Sequence, residues 1–187
     1  FNIYQDWNNY KEKFSKNDAI QGDYTWILIG PNTIPQKNPA LPPPGIGRMN
    51  CIAFHPTNYN VMWAGSAFGG IWKTENGGQD WQVLINSEFM SIGITDIAVS
   101  KSNPNILYAG TGDADAAGFM GQMFCFSIGI IKSTDGGATW QQTNFKANLN
   151  NRLLISRVLV HPDDPNLVFA ATSEATNGVI KSTDGGN

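Results

Sequence analysis

No stretch of this chain approaches the ~20 consecutive apolar residues that a membrane-spanning helix needs. An excess of basic residues is equally missing. Twelve Lys and Arg stand against 15 Asp and Glu, for a net charge of −3, which leaves no basic stripe for a nucleic acid. Charge of either sign is scarce at 14%, too little for the polar faces of a helical bundle. Two cysteines, Cys51 and Cys125, do not make a disulfide framework, and the sequence leaves open whether they pair or stay free thiols. The two histidines, His55 and His161, both precede proline at matching points of a repeat, so they read as turn residues rather than as part of a triad or metal site. Phe1 begins no secretory leader, and the missing initiator Met fits a leader already removed.

What the chain does have is a repeat. Ser133-Thr134-Asp135-Gly136-Gly137-Ala138-Thr139-Trp140 is a full Ser/Thr-x-Asp-x-Gly-x-x-Trp box. The stretch from Thr74 through Asn76 and Gly78 to Trp81 is a copy with Asn for Asp, and Ser182, Asp184 and Gly186 open a third that stops before its Trp. Gly-Gly after Asp or Asn supplies the positive φ that a tight hairpin requires, and the Asp or Asn side chain can accept backbone N–H bonds inside the turn. The boxes are therefore expected to be structural, with the Trp burying a large apolar area.

A second motif precedes each box. His55-Pro56-Thr57-Asn58-Tyr59-Asn60, Ser100-Lys101-Ser102-Asn103-Pro104-Asn105 and His161-Pro162-Asp163-Asp164-Pro165-Asn166 are turns flanked by apolar runs on both sides. Asn60, Asn105 and Asn166 recur at intervals of 45 and 61 residues, the first within the ~40–50 of a propeller blade and the second longer. The unit is strand, turn, strand, loop, strand, box, strand, which predicts an all-β propeller of four-stranded blades. The surplus lies in the middle repeat, as an insertion from Gly112 to Cys125. Ile3, Trp7, Tyr10 and Phe14 recur at helical spacing and predict a short N-terminal helix. The expected organisation is a helical arm over 1–22, a strand plus Pro-rich linker over 23–47, and about two and a half blades of a longer propeller over 48–187. Two and a half blades cannot close a ring.

The candidate ligand-binding residues are Arg48, Asp96, Asp113, Asp115, Phe119, Phe124 and Arg157. Aligning the turns puts Cys51, Asp96 and Arg157 at one repeat position, either as a buried Asp–Arg pair between adjacent inner strands or as a polar channel lining. Asp113 and Asp115 form Asp-x-Asp in the insertion, which reads as a solvated loop, a seed for Ca²⁺ well short of the 6–8 oxygens required, or ligand contacts. Phe119, Met120, Met123 and Phe124 would make that insertion an apolar surface, and inserted loops on a rigid scaffold carry specificity. No catalytic residue, metal site or cofactor is assigned.

Gly45-Ile46-Gly47-Arg48-Met49-Asn50, Gly69-Gly70-Ile71-Trp72-Lys73-Thr74 and Lys132-Ser133-Thr134-Asp135-Gly136-Gly137 resemble the Asp-box (BNR) propellers. More narrowly they resemble the sortilin-like, xyloglucanase-like kind found in secreted Bacteroidetes proteins, whose lead-in matches Trp26-Ile27-Leu28-Ile29-Gly30-Pro31. The resemblance covers about residues 24–187. It implies an extracellular or cell-surface protein, exported by the type IX secretion system and used for binding or assembly, with protein, glycan or outer-membrane secretion machinery as partners. The alternative it implies is a glycoside hydrolase-like enzyme whose carboxylates lie mostly outside this segment, with Asp96, Asp113 and Asp115 as the candidates within it. Xyloglucanase-type hydrolases carry a catalytic Asp in Thr-Asp-x-Gly-Gly. The matching segment here is Ser66-Ala67-Phe68-Gly69-Gly70, which puts Ala67 at the Asp position. Glycoside hydrolysis ordinarily needs two carboxylates, so this departure argues against that activity.

Overall fold

The computed structural model describes residues 48–84, 92–113, 127–147, 153–173 and 178–187. The expected N-terminal helix, the strand and linker before Arg48, and Asp115, Phe119, Phe124 and Cys125 of the insertion lie outside these. Within them there are eleven strands and no helix. Blade 1 is β1 (Met49–Phe54), β2 (Met62–Ser66), β3 (Ile71–Thr74) and β4 (Gln82–Val83). Blade 2 is β5 (Ile94–Val99), β6 (Leu107–Thr111), β7 (Gly129–Ser133) and β8 (Gln141–Lys146). Blade 3 contributes β9 (Ile155–Val160), β10 (Val168–Thr172) and β11 (Val179–Ser182). Each sheet is an antiparallel meander in chain order, and the first strands β1, β5 and β9 stand side by side.

The two sequence motifs meet in space. The box glycine amide donates to the carbonyl of the turn asparagine of its own blade: Gly77 to Asn60 at 2.9 Å, Gly136 to Asn105 at 2.9 Å and Gly185 to Asn166 at 2.8 Å. Inside each box the hydroxyl accepts an amide four residues on, Gly78 on Thr74 at 2.9 Å, Gly137 on Ser133 at 2.8 Å and Gly186 on Ser182 at 2.8 Å. Gly136 and Gly137 sit at φ of 74° and 93°, backbone that a side chain rarely adopts. Trp140 is buried as the repeat predicts, whereas Trp81 is only half-buried. The histidines cap turns: Asn58 N–H donates to His55 Nδ1 at 3.0 Å and Asp163 N–H to His161 Nδ1 at 3.2 Å.

The apolar cores lie in the seams between blades. Trp63, Ile71 and Ala53 of blade 1 pack with Ile94, Ile97, Leu107 and Trp140 of blade 2. Tyr108, Ala98 and Ile130 of blade 2 pack with Ile155, Val158 and Val168 of blade 3. A fully buried side chain of this size stabilises by ~1.5–3 kcal/mol. Close approach matters here. A Cβ on Gly65 would stand 2.6 Å from Ile94, and one on Gly110 would stand 2.7 Å from Ile155.

Each seam also carries a polar lock at repeat-equivalent residues. Trp63 Nε1–H donates to the carbonyl of Gly136 in the next box at 3.1 Å, with Lys73 over the indole ring. Tyr108 Oη–H donates to Pro165 O at 2.9 Å, and Lys132 Nζ to Gly185 O at 3.0 Å. Burial first, then the carboxylates of Asp164 and Asp184, push the Tyr108 phenol up to about 12, so it remains a neutral donor. In blade 3 the same register positions are Phe169 and Lys181. Seam-type faces also stand open at both ends of the stack. Ile52 is 49% exposed, although its counterparts Ile97 and Val158 are buried, and Leu159 is 56% exposed where its counterpart Ala98 is buried.

Candidate functional site

A groove of about 450 Å³ crosses the three first strands, with Asn50, Thr95, Asp96, Asp113, Ser156 and Arg157 as its polar lining. Alternation along a strand turns every second side chain toward one face, and in a closed propeller the first strands border the central channel. The predicted equivalence of Cys51, Asp96 and Arg157 holds in the register, where they pair with Gly65, Gly110 and Ala171, each beside a bulge.

Asp96 is buried, at 7% exposure. Its Oδ2 accepts the Val158 amide of the next blade at 2.8 Å, and Arg157 Nε stands 3.5 Å from the same oxygen. The interstrand Asp–Arg pair exists, but the closer partner is a backbone amide, which no side-chain pattern could name. Arg157 is not buried with it: its side chain is 68% exposed. Cys51 is a free thiol whose pKa is pushed up to about 12, by burial first and by the neighbouring Asp96 charge second.

Asp113 corrects the solvated-loop expectation. It is 1% exposed, directly after β6, and Arg48 Nη2 donates to both of its oxygens at 2.5 and 2.6 Å. Asn50 Nδ2 donates to Asp113 Oδ1 at 3.3 Å and to Ile94 O at 3.1 Å, and Arg48 Nε donates to Asn50 Oδ1 at 3.0 Å. Arg48 is therefore brought together with Asp113 across 65 residues of sequence, and Asn50 joins them. Sequence reasoning missed Asn50; its place two residues after Arg48, on the same face of a strand, was the available signal. A buried carboxylate needs such a partner because the desolvation cost of an unpaired charge is prohibitive.

The box acids are spent on their hairpins. Burial alone would raise the carboxyl of Asp135, but hydrogen bonds from Thr139, Ser133 and the Ala138 amide outweigh it and hold the group below the ordinary value. Asp184 is lowered chiefly by Ser182. In blade 1, Asn76 Oδ1 accepts the Asp80 amide at 2.9 Å, so the neutral residue fills the same place. Among the described residues no group of three His, Cys, Asp or Glu side chains is placed to hold a metal. Ala67 is 3% exposed, with its amide donating to Arg48 O at 2.9 Å.

No family model matches the chain. Among curated proteins it is similar to xyloglucanase Xgh74A of Acetivibrio thermocellus, at 29% identity over 151 residues, 76% of this chain and 17% of that protein. The chain thus spans about a sixth of the length of this relative. Among solved structures, an ancestral GH74 enzyme superposes with a TM-score of 0.61 at 27% identity, over 74% of this chain and 18% of that one. YCF48 bound to D1 peptide superposes with a TM-score of 0.53 at 14% identity, over 77% of this chain and 39% of that one, and at that identity shares the fold alone. The chain folds as four-stranded propeller blades and is similar to the xyloglucanases over part of their length.

Proposed function

We propose that this chain belongs to a secreted or cell-surface propeller that binds glycan along the groove of β1, β5 and β9, without acid–base catalysis in this segment. The carrying observation is the state of the carboxylates. The position that the resemblance assigns to a catalytic Asp is Ala67, which can neither give nor take a proton. The two carboxylates lining the groove are already engaged, Asp113 by Arg48 and Asn50, and Asp96 by the Val158 amide. Glycoside hydrolysis needs one carboxyl free to protonate the leaving oxygen and a second free to act as base or nucleophile. Kinship with xyloglucanases supports a polysaccharide as the ligand class and an extracellular location. The open seam-type faces support further blades on both sides of these three.

The test is calorimetric titration of the intact protein with a panel of neutral and acidic oligosaccharides, with reducing ends assayed in parallel. Saturable binding without release of reducing ends is expected. The second reading is a glycoside hydrolase-like enzyme whose carboxylates lie largely outside this segment, with Asp96, Asp113 and Asp115 as the candidates within it, favoured by the same kinship. It predicts reducing-end release by the intact protein, and loss of that release with Asp96→Asn or Asp113→Asn favours it. Export through the type IX secretion system belongs to either reading, with outer-membrane secretion machinery as the partner; retention in the periplasm when that system is deleted is its test.

A further inference from the structure

We propose that the groove takes an anionic glycan, one carrying carboxylate or sulfate groups, and that Arg157 is the residue that reads the anion. The inference rests on the glycan-binding reading above and specifies its ligand class.

Solvent reaches the basic groups of this region and not the acidic ones. The two carboxylates of the groove are buried, at 7% and 1% exposure, while Arg157 and Arg48 stand 68% and 48% exposed above them. The acids lie underneath and the guanidiniums face outward. The charge of the groove lining that solvent reaches is therefore that of Arg157, although the chain as a whole carries −3.

Arg157 is held in a particular way. Asp96 is fixed by the Val158 amide and stands 3.5 Å from the Nε end of the guanidinium. Among the described residues neither Nη1 nor Nη2 donates a hydrogen bond, which leaves the planar fork for a carboxylate or sulfate. A guanidinium is weakly hydrated, always charged and matched to such anions by two parallel N–H bonds. Arg48 differs, because its Nη2 and Nε are committed to Asp113 and Asn50. Arg157 is thus the residue with free recognition capacity, and Arg48, which is not part of the lining, serves to hold Asp113.

The rest of the lining agrees. Near Arg157, Ser156 Oγ gives its hydrogen to Ala171 O at 3.3 Å and Asn50 Oδ1 accepts from Arg48 Nε, so each oxygen keeps a lone pair to accept from a sugar hydroxyl. No aromatic side chain lines the groove among the described residues. A pocket without an aromatic platform has little with which to hold an uncharged sugar ring by its apolar face, so orientation falls to polar and charged contacts.

The test compares four probes on the intact protein by calorimetry: a trigalacturonate, a sulfated trisaccharide, a neutral xyloglucan heptasaccharide and sodium sulfate, at matched ionic strength. Arg157→Gln removes the charge, and Arg157→Lys keeps the charge without the fork. The acidic oligosaccharides are expected to bind about tenfold or more tightly than the neutral one. Arg157→Gln should erase that advantage, read as the ratio of acidic to neutral affinity in the same variant and in protein that still unfolds cooperatively; Arg157→Lys should retain only part of it. Raising salt should weaken the acidic probes selectively. Equal affinity for neutral and acidic probes, or acidic binding untouched by Arg157→Gln, overturns the inference and leaves the glycan reading standing. Sodium sulfate competing as well as the sulfated trisaccharide reduces the site to one for a free anion and overturns it too. Binding of none of the four overturns both readings.

Discussion

Removing Arg48 should destabilise the protein more than neutralising Asp113, and the asymmetry follows from burial. Arg48→Met keeps the apolar stem, which packs alike in both side chains, but strips two charge-assisted hydrogen bonds from a carboxylate that is 1% exposed. Deleting one partner of a fully buried pair costs ~3–5 kcal/mol. Arg48 is itself 48% exposed, so water can enter its place, and about 2–3 kcal/mol is the reasonable expectation. Asp113→Asn instead leaves an arginine that is half in water and can rehydrate, at a cost of about 1 kcal/mol. In the double variant no buried charge is stranded, so it should be about 1 kcal/mol more stable than Arg48→Met alone. Urea unfolding of the four proteins measures this, through shifts in midpoint at constant m. A double variant less stable than Arg48→Met, or an Arg48→Met protein within ~0.5 kcal/mol of the parent, would refute the reasoning.

Three further outcomes are expected. Tyr108→Phe removes the phenol donor to Pro165 O and should cost about 1 kcal/mol in thermal or urea unfolding, while Phe169→Tyr, at the equivalent place in blade 3, should leave that seam lock unaffected. Folded Asp135 holds its proton less readily than the unfolded chain does, so its contribution is complete above the ordinary carboxylate range and is lost as pH falls through the lowered folded value. The stability difference between the parent and Asp135→Asn should therefore be constant above ~pH 5, shrink below ~pH 4, and stay under ~1 kcal/mol for a group this exposed, as read from unfolding across pH. Cys51, with its thiol pushed up to about 12, should react with a disulfide reagent at pH 8 far more slowly than a free thiol and regain normal reactivity in urea; equal rates would contradict the burial.

The repeat was legible because its parts are local. Box hairpins, turn asparagines and the strand pattern each fit within a dozen residues, and the register follows from them. The equivalence of Cys51, Asp96 and Arg157 came from the same counting. What the sequence hid are partnerships across blades. Nothing local links Arg48 to Asp113, and Asp-x-Asp beside two glycines has the composition of a surface loop, yet Asp113 directly follows β6 and is covered by the neighbouring blade. The aromatic and lysine at matching points of the second and third strands, Trp63 with Lys73 and Tyr108 with Lys132, also look like ordinary strand residues. Their role appears only when the next box lies against them. The Val158 amide that holds Asp96 carries no side-chain signal at all.

The groove of β1, β5 and β9 is proposed to bind glycan while its own carboxylates do no chemistry. Reducing-end release by the intact protein on a panel of neutral and acidic polysaccharides, repeated with Asp96→Asn and Asp113→Asn, tests it most directly. Oligosaccharide binding without release of reducing ends is expected in the parent and in both variants. Hydrolysis that disappears with Asp96→Asn or Asp113→Asn, in protein that remains folded, would contradict it.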